Sequence, residues 1–310
     1  MNFSKLKGTI EKDISLSKMS WMQVGGAAEL LFKPYDKSDL QNFLKQSDQS
    51  LPVFVLGACS NLIIRDGGMD GICIKLGKRF REIEILGDGL ISIGAASLSS
   101  QVAIEAARFG IDLTFLRTIP GTIGGAVSMN AGCYGTYLKD VFMSGEFVSR
   151  HGELRILTND DLNFVYRKSS IPDGWVMTKA NLKSDKKKSD FLKLEMEKMI
   201  ENRNRTQPRG VLCCGSAFKN PSGVASSGLI DEINDNKAWK MIDEAGLRGA
   251  KLGPAQISTK HSNFLVNTGG ATSAQLEELG EKIIQAVFEQ SGIKLEWEIK
   301  LVGKKLEREE

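Results

Sequence analysis

Two glycine-rich segments carry the residues of this sequence that are best suited to holding an anionic ligand. Residues 119–135 have five glycines between Gly121 and Gly135, where an average segment of that length has about one. Residues 57–61 follow one apolar run and lead into another. Glycine lets the backbone approach a ligand closely, and such loops offer N–H groups to phosphate. The pair of segments therefore predicts a pyrophosphate site, although either one alone is equally well explained by tight turns between packed strands.

The spacing of the glycines argues against the two commonest nucleotide motifs. Neither segment has the Gly-x-Gly-x-x-Gly dinucleotide pattern, and neither has the Gly-x-x-x-x-Gly-Lys-Ser/Thr phosphate loop. We therefore do not expect an ordinary Rossmann or kinase-like site.

Three further motifs contain side chains that could take part in catalysis. Arg167 ends a short apolar and aromatic run, Ser216 lies in a Cys-Gly-Ser-Ala-Phe-Lys-Asn-Pro run, and Glu298 lies in an alternating segment near the C-terminus. Taken singly, each has an ordinary explanation: an exposed arginine on a strand, a serine in a turn, and an exposed glutamate on a strand. Residue types alone therefore leave their roles open.

Nearly the whole chain, from Trp21 onward, resembles the MurB family, the UDP-N-acetylenolpyruvoylglucosamine reductases, which are flavoenzymes of bacterial cell-wall synthesis. The family's Gly-x-Gly-Ser-Asn loop matches residues 57–61, and its Ile-Pro-Gly-Thr/Ser-x-Gly-Gly-Ala…Asn-Ala-Gly-x-Tyr-Gly loop matches residues 119–135. Cys59 replaces the second glycine of the first loop. We expect this side chain to lower FAD affinity modestly, unless φ at Cys59 is negative.

The resemblance implies non-covalently bound FAD and identifies the residues that would hold it. They are Gly57, Ala58, Cys59, Ser60 and Asn61 of the first segment and Pro120, Gly121, Thr122, Gly124, Gly125 and Ala126 of the second.

The resemblance also assigns roles to the three catalytic candidates. Arg167 would face the enolpyruvyl carboxylate, because a guanidinium donates two N–H groups to a carboxylate and keeps its proton. Ser216 would donate a proton, and a weak acid such as serine can do so only to a strongly basic carbon. Glu298 would stabilise the enol form together with Arg167. In the last motif Trp297 replaces the family's usual proline and Lys300 its usual arginine, so the sequence does not fix the direction of the glutamate.

The implied reaction has two half-reactions at one flavin. NADPH reduces FAD, and the reduced flavin passes hydride to UDP-N-acetylglucosamine enolpyruvate, which becomes UDP-N-acetylmuramate for peptidoglycan. Tyr166, Lys219, Asn220 and Arg205 are the expected substrate-binding residues, the last from its charge and position. His261 is interpreted as a structural support of the substrate domain.

Two rival functions remain open at this point. A carbohydrate oxidase with the same flavin fold often attaches its flavin to a histidine, and neither glycine segment contains one. A sugar-nucleotide sensor would bind UDP sugars without catalysis.

The composition restricts the partners of the chain. Its 310 residues include 41 basic and 38 acidic side chains, a formal net charge of +3, so no large electrostatic field favours nucleic acid or a membrane surface. The lysine-rich residues 183–188 are interpreted as a solvated loop. We expect a small-molecule substrate as the only partner, and a monomer or weak dimer.

Cysteine and histidine usage bears on compartment and metal binding. The five cysteines lack Cys-x-x-Cys spacing, which suits a reducing compartment. No signal peptide is evident, and no apolar run approaches the roughly 18 residues of a membrane helix. His151 and His261 are the only histidines. We therefore expect a cytoplasmic protein without a metal site.

The predicted fold class is α+β. The resemblance implies a two-part FAD-binding region of the PCMH or vanillyl-alcohol-oxidase-like kind and a smaller α+β substrate-binding domain. The expected domains are residues 1–80, joined by 302–310, then 81–205, and finally 206–301. The short spacing between Arg167 and Pro208 indicates the MurB type that lacks a substrate-covering tyrosine loop.

Periodicity and capping signals predict the elements that position these residues. We expect helices beginning with a capping box at residues 38–41, at 101–109 before Gly110, at 191–200, near 238–244 and from Thr272, a hairpin turning at residues 151–152, and strands at 53–56, 62–64, 72–76, 83–85, 90–93 and 293–301.

Overall fold

The computed structural model describes residues 6–225 and 237–306. Residues 1–5, 226–236 and 307–310, which belong to three of the predicted domain segments, lie outside the described residues. The strands are β1 (Thr9–Ser15), β2 (Ala27–Lys33), β3 (Val53–Val55), β4 (Leu62–Ile64), β5 (Met69–Ile74), β6 (Ile83–Gly87), β7 (Leu90–Gly94), β8 (Gly132–Cys133), β9 (Thr136–Tyr137), β10 (Phe142–Val148), β11 (Leu154–Thr158), β12 (Val176–Lys183), β13 (Leu212–Ser216), β14 (Lys251–Leu252), β15 (Ala255–Ile257), β16 (Phe264–Asn267) and β17 (Lys300–Val302). The helices are α1 (Lys37–Gln46), α2 (Ser99–Arg108), α3 (Ile123–Ser128), α4 (Leu138–Val141), α5 (Asn159–Leu162), α6 (Ser189–Thr206), α7 (Ala238–Glu244) and α8 (Ser273–Ser291).

The first of two units comprises Met1–Lys12, Leu30–Gly57 and Gly71–Glu201. Its larger sheet has the order β11-β10-β12-β7-β6, and every neighbouring pair is antiparallel. Ile91 and Ile93 of β7 belong to the same apolar core as Val102 and Ala106 of α2. The second glycine segment comes after α2 in the chain, so the sheet and α2 form the packed support that precedes it.

A smaller core in this unit supports the start of the first glycine segment. Strand β3 runs parallel to β5, and α1 packs beside them through Phe43, whose ring centroid lies 3.9 Å from that of Phe32. The predicted α1 helix is confirmed, but its cap is different. Asp36, rather than Ser38, is the N-cap, and its side chain accepts the N–H of Asp39. The chain leaves β3 directly into residues 57–61.

The second unit comprises Asp13–Glu29, Ala58–Asp70 and Asn202–Glu310. It contains a four-stranded antiparallel sheet of order β13-β16-β15-β14 and the parallel pair β17-β4. Helix α8 begins at the predicted N-cap Thr272, which forms a capping box with Gln275. The predicted apolar face of α8 is buried in this unit's core: Leu276, Leu279, Ile283 and Val287.

The last predicted strand is wrong in extent. Regular pairing covers Lys300–Val302 alone, preceded by an isolated bridge between Phe218 and Trp297. The alternation that suggested a strand is real, because Leu295 and Ile299 are buried in the core while their neighbours are more exposed. The segment pairs first with the chain after β13 and then with β4, so one continuous ladder does not form.

The other predicted elements agree with the structure except at their ends. The hairpin at residues 151–152 joins β10 and β11, and α2 is followed by Gly110 at φ +73°. Helix α6 continues to Thr206, past the expected end near residue 200, because the first helix-breaking residue is Pro208. No helix in the described part of the chain is both long and apolar enough to cross a bilayer.

Candidate active site

The first glycine segment forms a turn whose backbone N–H groups are available to a ligand. Within residues 6–225 and 237–306, the backbone N–H groups of Ala58, Ser60 and Asn61 donate no hydrogen bond. Cys59 between them has φ +53°. The negative φ at which its side chain would not lower FAD affinity is therefore not found. Consecutive N–H groups around a left-handed residue form a concave anion site. The Cys59 side chain itself is buried, at 3% exposure.

Gly57 makes a close approach to the second glycine segment. A Cβ atom at Gly57 would lie 2.8 Å from Thr122 Oγ1, so a larger residue would force the two apart. Thr122 is the N-cap residue of α3, but its side chain makes no capping hydrogen bond. Lys75 Nζ donates to Gly57 O at 2.7 Å. The ammonium group of Lys75 and the hydroxyl of Thr122 therefore both lie close to Gly57.

The second glycine segment forms α3, and part of its backbone is already used within the protein. The N–H groups of Ile123 and Gly124 donate to carbonyl oxygens before α2, at 3.0 and 2.9 Å. The expected row of free N–H groups is therefore interrupted at these two residues. The N–H groups of Gly121 and Thr122 donate no hydrogen bond to the described residues.

Each segment has features that fit a bound pyrophosphate group such as that of FAD. The available N–H groups can donate to phosphate oxygens, and Lys75 adds a full positive charge. Among the residues that the structure describes, the ideal Cβ of the exposed Gly125 would meet only Thr122 Oγ1, at 3.7 Å, which leaves open space for a ligand. Ala126, by contrast, is buried in the apolar core.

Arg167 lies in a tight turn and not on the strand that its apolar neighbours suggest. An isolated antiparallel bridge closes the turn, and Arg167 has φ +58°. Asn130 of the second glycine segment donates from Nδ2 to Val165 O at 3.0 Å. Arg167 Nη1 donates to Gly132 O at 3.4 Å, and its guanidinium carbon lies 4.9 Å from the centre of the Tyr166 ring. Within the first unit, the arginine is therefore tied to a predicted FAD-binding loop.

Ser216 and Glu298 are distant in sequence and lie on neighbouring backbone segments. Ser216 ends β13, just after Gly215, whose φ of +78° coincides with an irregularity in the β13-β16 pairing. The N–H of Glu298 donates to Ala217 O at 2.8 Å. Asn61 Nδ2 donates to Glu298 O at 3.0 Å. The second unit thus brings two catalytic candidates together with the end of the first glycine segment.

A buried asparagine holds the chain after Ser216. Asn263 Oδ1 accepts the N–H of Phe218 at 2.9 Å, and Asn263 Nδ2 donates to Phe218 O at 2.8 Å. The N–H of Asn263 donates to His261 Nδ1 at 3.3 Å. Burial, reinforced by Arg248, lowers the pKa of His261 to about 4. A neutral ring that accepts a hydrogen bond agrees with the interpretation of His261 as a structural support.

The predicted substrate-binding residues are only partly grouped with Ser216. Lys219 Nζ lies 2.8 Å from Glu296 Oε2 in a partly exposed ion pair. Asn220 uses its amide within the protein, since Oδ1 accepts the first N–H of α7 and Nδ2 donates to a carbonyl four residues later. Arg205 lies exposed in the last turn of α6 and donates to an asparagine side chain one turn earlier.

Family models match both parts of the chain. One described as FAD binding domain matches residues 28–158, and one described as UDP-N-acetylenolpyruvoylglucosamine reductase, C-terminal domain, matches residues 207–302. The UDP-N-acetylenolpyruvoylglucosamine reductase of Ruegeria pomeroyi is 49% identical over 304 residues, which are 98% of each chain. The chain belongs to the UDP-N-acetylenolpyruvoylglucosamine reductase (MurB) family. It is an FAD-binding oxidoreductase.

Two further MurB relatives agree with this assignment. The reductase of Jannaschia sp. is 49% identical over 297 residues, 96% of each chain. The crystal structure of MurB from Thermus caldophilus superimposes with a TM-score of 0.79 at 30% identity and covers 96% of this chain and 99% of its own. The predicted fold class, an FAD-binding region combined with a smaller MurB domain, is confirmed.

Lys75 and Asn263 are functional candidates that the sequence patterns missed. A lysine that follows a strand and an asparagine in a polar loop are common, so nothing in a single sequence separates these two from ordinary surface residues.

Proposed function

We propose that this MurB family member reduces UDP-N-acetylglucosamine enolpyruvate to UDP-N-acetylmuramate for peptidoglycan synthesis in the cytoplasm, with NADPH as the reductant. Cell-wall biogenesis, cell shape and cell division would depend on this product. The observation that best supports the proposal is the grouping of Ser216, Glu298 and Asn61 in the second unit. Relatives named as reductases that match over nearly the full chain support the choice of substrate.

We propose distinct roles for the three catalytic residues. FAD, when bound, supplies hydride for the terminal carbon of the enolpyruvyl group. Arg167 binds the carboxylate and, with Glu298, stabilises the charge that develops on the adjacent carbon and carboxylate. Ser216 then donates its proton to that carbon and sets the new stereocentre. Groups aimed at charge that appears only in the transition state lower the barrier without tightening substrate binding equally.

The proposed binding of the sugar nucleotide rests on exposed charge. Lys219 is paired with the largely exposed Glu296, and such a surface pair contributes little free energy. Exchange of that partner for the diphosphate would therefore cost little. We propose that Asn220, Tyr166 and Arg205 contribute further polar contacts, with Asn220 also holding the backbone around Lys219.

The experiment that tests the proposal separates the two half-reactions of the Ser216→Ala variant. Under anaerobic conditions NADPH should bleach the flavin of the variant as it does that of the wild type. Reoxidation of the reduced flavin by UDP-N-acetylglucosamine enolpyruvate should slow by about 10²- to 10⁴-fold, the usual contribution of a general acid. The matched control is Ser222→Ala, an exposed serine six residues away, which should behave as wild type.

The rival functions are distinguished by the same half-reactions together with an aerobic assay that supplies sugar and oxygen without NADPH. A carbohydrate oxidase would turn over with sugar and oxygen alone, without NADPH. A sugar-nucleotide sensor would bind UDP sugars, show no reduction of flavin by NADPH, and be unchanged by Ser216→Ala. If the reduced wild-type flavin is not reoxidised by the enolpyruvyl substrate, the proposed reaction is wrong.

A further inference from the structure

We propose that Trp297 is a positioning residue that fixes Glu298 beside Ser216 by packing between Phe218 and helix α8. The roles of Glu298 and Ser216 in this inference rest on the proposed function. The packing itself does not, and it can be measured separately.

The indole of Trp297 lies against the chain that follows Ser216. Its ring centroid is 4.9 Å from that of Phe218, with the planes tilted by 41°. The same two residues form an antiparallel bridge. Backbone hydrogen bonds lie on both sides of the bridge: Lys219 N–H donates to Glu296 O, and Glu298 N–H donates to Ala217 O, each at 2.8 Å. The side chain thus packs over the only bridge that holds this pair of segments in register among the described residues.

The indole of Trp297 packs directly against the backbone of helix α8 at Gly280. A Cβ atom at Gly280 would lie 2.0 Å from Trp297 Cη2 and 2.1 Å from Cζ2, distances that no side chain tolerates. Trp297 Nε1 also donates to Glu281 Oε1 at 2.9 Å. The missing side chain at Gly280 and the hydrogen bond at Glu281 fix the ring on the helix. Because α8 is buried along its apolar face in the core of the unit, the ring connects the bridge to a rigid element.

This arrangement explains how Glu298 is held even though its segment is not a regular strand. Within the described ranges, regular pairing begins only at Lys300, so residues 296–299 have no two neighbouring strands there that would fix a side chain in a sheet. Phe218 is in turn held by the two hydrogen bonds of Asn263. Trp297 contacts both this fixed residue and α8, and these two contacts set the direction of the next residue, Glu298.

The test uses two substitutions that reach the same contact from opposite sides. Trp297→Ala removes the ring, and Gly280→Ala places a methyl group where the ring lies. Each should slow reoxidation of the reduced flavin by the enolpyruvyl substrate, with Trp297→Ala giving a loss on the order of 10²-fold, the size expected for a displacement of about 1 Å. FAD content and reduction by NADPH should be unchanged. Trp297→Phe, which keeps an aromatic ring, should retain most of the wild-type rate of flavin reoxidation.

Two comparisons make the inference falsifiable. Gly280→Ala should have no further effect in the Trp297→Ala background, because the clash is gone; an equal loss in both backgrounds would overturn the proposal. Equal slowing of both half-reactions would also overturn it. Trp175→Phe, a substitution in the other unit, is the control for loss of a tryptophan.

Hydrogen exchange separates this inference from the proposed function. Trp297→Ala should speed exchange at the Glu298 amide, whose acceptor is Ala217 O, and Trp297→Phe should not. If the wild-type enzyme does not reduce the enolpyruvyl substrate but exchange responds in this way, the positioning is right and the proposed function is wrong. If exchange at Glu298 does not change in Trp297→Ala, the positioning is wrong whatever the enzyme reduces.

Discussion

Cys59 has a backbone conformation that an L-residue adopts at a cost, and it does so in the middle of an anion-binding turn. Its φ of +53° costs roughly 1–2 kcal/mol for a residue with a Cβ atom. The cost is offset by burial of the small side chain, which is 3% exposed. This conformation belongs to the turn that leaves the N–H groups of Ala58, Ser60 and Asn61 without an acceptor among the described residues, so the backbone angle matters more to the site than the side chain does.

A β-branched residue at this position should therefore weaken cofactor binding. Cys59→Val disfavours the left-handed conformation and overfills a buried position, and we expect FAD affinity to fall by about tenfold, or 1.4 kcal/mol. Cys59→Gly keeps the conformation and should bind FAD at least as tightly as wild type. Fluorescence titration of the deflavinated variants with FAD measures both affinities.

Cys73→Val is the control, since Cys73 is equally buried but lies in strand β5, where valine is favoured. Equal FAD affinity of the Cys59→Val and Cys59→Gly variants would contradict the argument.

The sequence suggested which residue types could form the site, but it gave no signal for their backbone conformations. The motifs identified Arg167, Ser216 and Glu298 by resemblance, and their proposed roles depend on residue type. The φ of +58° at Arg167 had no sequence signal, because non-glycine residues in the left-handed region look like any other residue in a pattern. A turn with apolar neighbours is therefore easily mistaken for a strand.

At the scale of elements, the chain after β4 anchors the start of helix α8. Asp66 Oδ1 and Oδ2 accept the N–H groups of Ser273 and Ala274, at 3.1 and 3.2 Å. Arg65 forms two hydrogen bonds with Glu277, at 2.9 and 3.1 Å. Burial opposes ionisation of Glu277, but hydrogen bonds from Arg65 and Lys305 outweigh it and lower the pKa of this carboxyl. The end of β4 and the first turns of α8 are thereby held together within the second unit.

Loss of this carboxylate should destabilise the second unit. Glu277→Gln leaves Arg65 without its charged partner, and we expect the free energy of unfolding to fall by about 2 kcal/mol. Because the folded pKa of Glu277 is lowered, its contribution is present above the unfolded pKa and is lost as the pH falls through the folded pKa. Glu278→Gln is the control: its pair with Lys282 is exposed and should contribute only about 0.3 kcal/mol. Urea denaturation at pH 7 compares the two, and equal losses would show that the Arg65 pair is no stronger than a surface pair.

Elements with complete local signals were predicted well. Helix α8 has a capping box, an apolar stripe and a left-handed Gly292 at its end, so every level of the sequence agrees. Residues 293–301 have only the alternation. Burial alone produces that alternation, because one side faces the core whether or not a neighbouring strand is present. The pairing partners of this segment come from distant parts of the chain and could not be inferred from its own residues.

At the scale of the whole molecule, each unit gathers a glycine segment and a catalytic candidate. The first unit joins Arg167 to the second glycine segment, and the second unit joins Ser216 and Glu298 to Asn61. Sequence motifs suggested these site residues but not the residues that support them. Asn263 is an example, because its role comes from two hydrogen bonds to the backbone of Phe218, 45 positions away in the chain. The predicted division at residues 1–80, 81–205 and 206–301 stays a prediction, as do the monomeric or weakly dimeric state and the absence of a tyrosine loop.

Acid sensitivity of the whole protein should depend on His261. Its pKa is lowered to about 4 by burial and by Arg248, against the opposing charge of Asp243. The unfolded chain therefore takes up a proton near pH 6.5 that the folded chain refuses, so stability is full above pH 6.5 and falls as the pH drops towards 4. From pH 7 to 5 we expect a loss of about 2 kcal/mol from this residue. The carboxylates with lowered pKa values lose their stabilising contribution mainly below the range from pH 7 to 5; they include Asp112, Glu146 and Glu277.

In His261→Gln the loss of stability between pH 7 and 5 should largely disappear, as measured by urea denaturation followed by tryptophan fluorescence. His151→Gln, at the exposed hairpin turn, should leave that loss unchanged. A wild-type stability that is flat from pH 7 to 5 would mean that His261 takes up its proton over the same pH range in the folded and the unfolded chain. The neutral ring that accepts the Asn263 N–H would then not be protected by the fold.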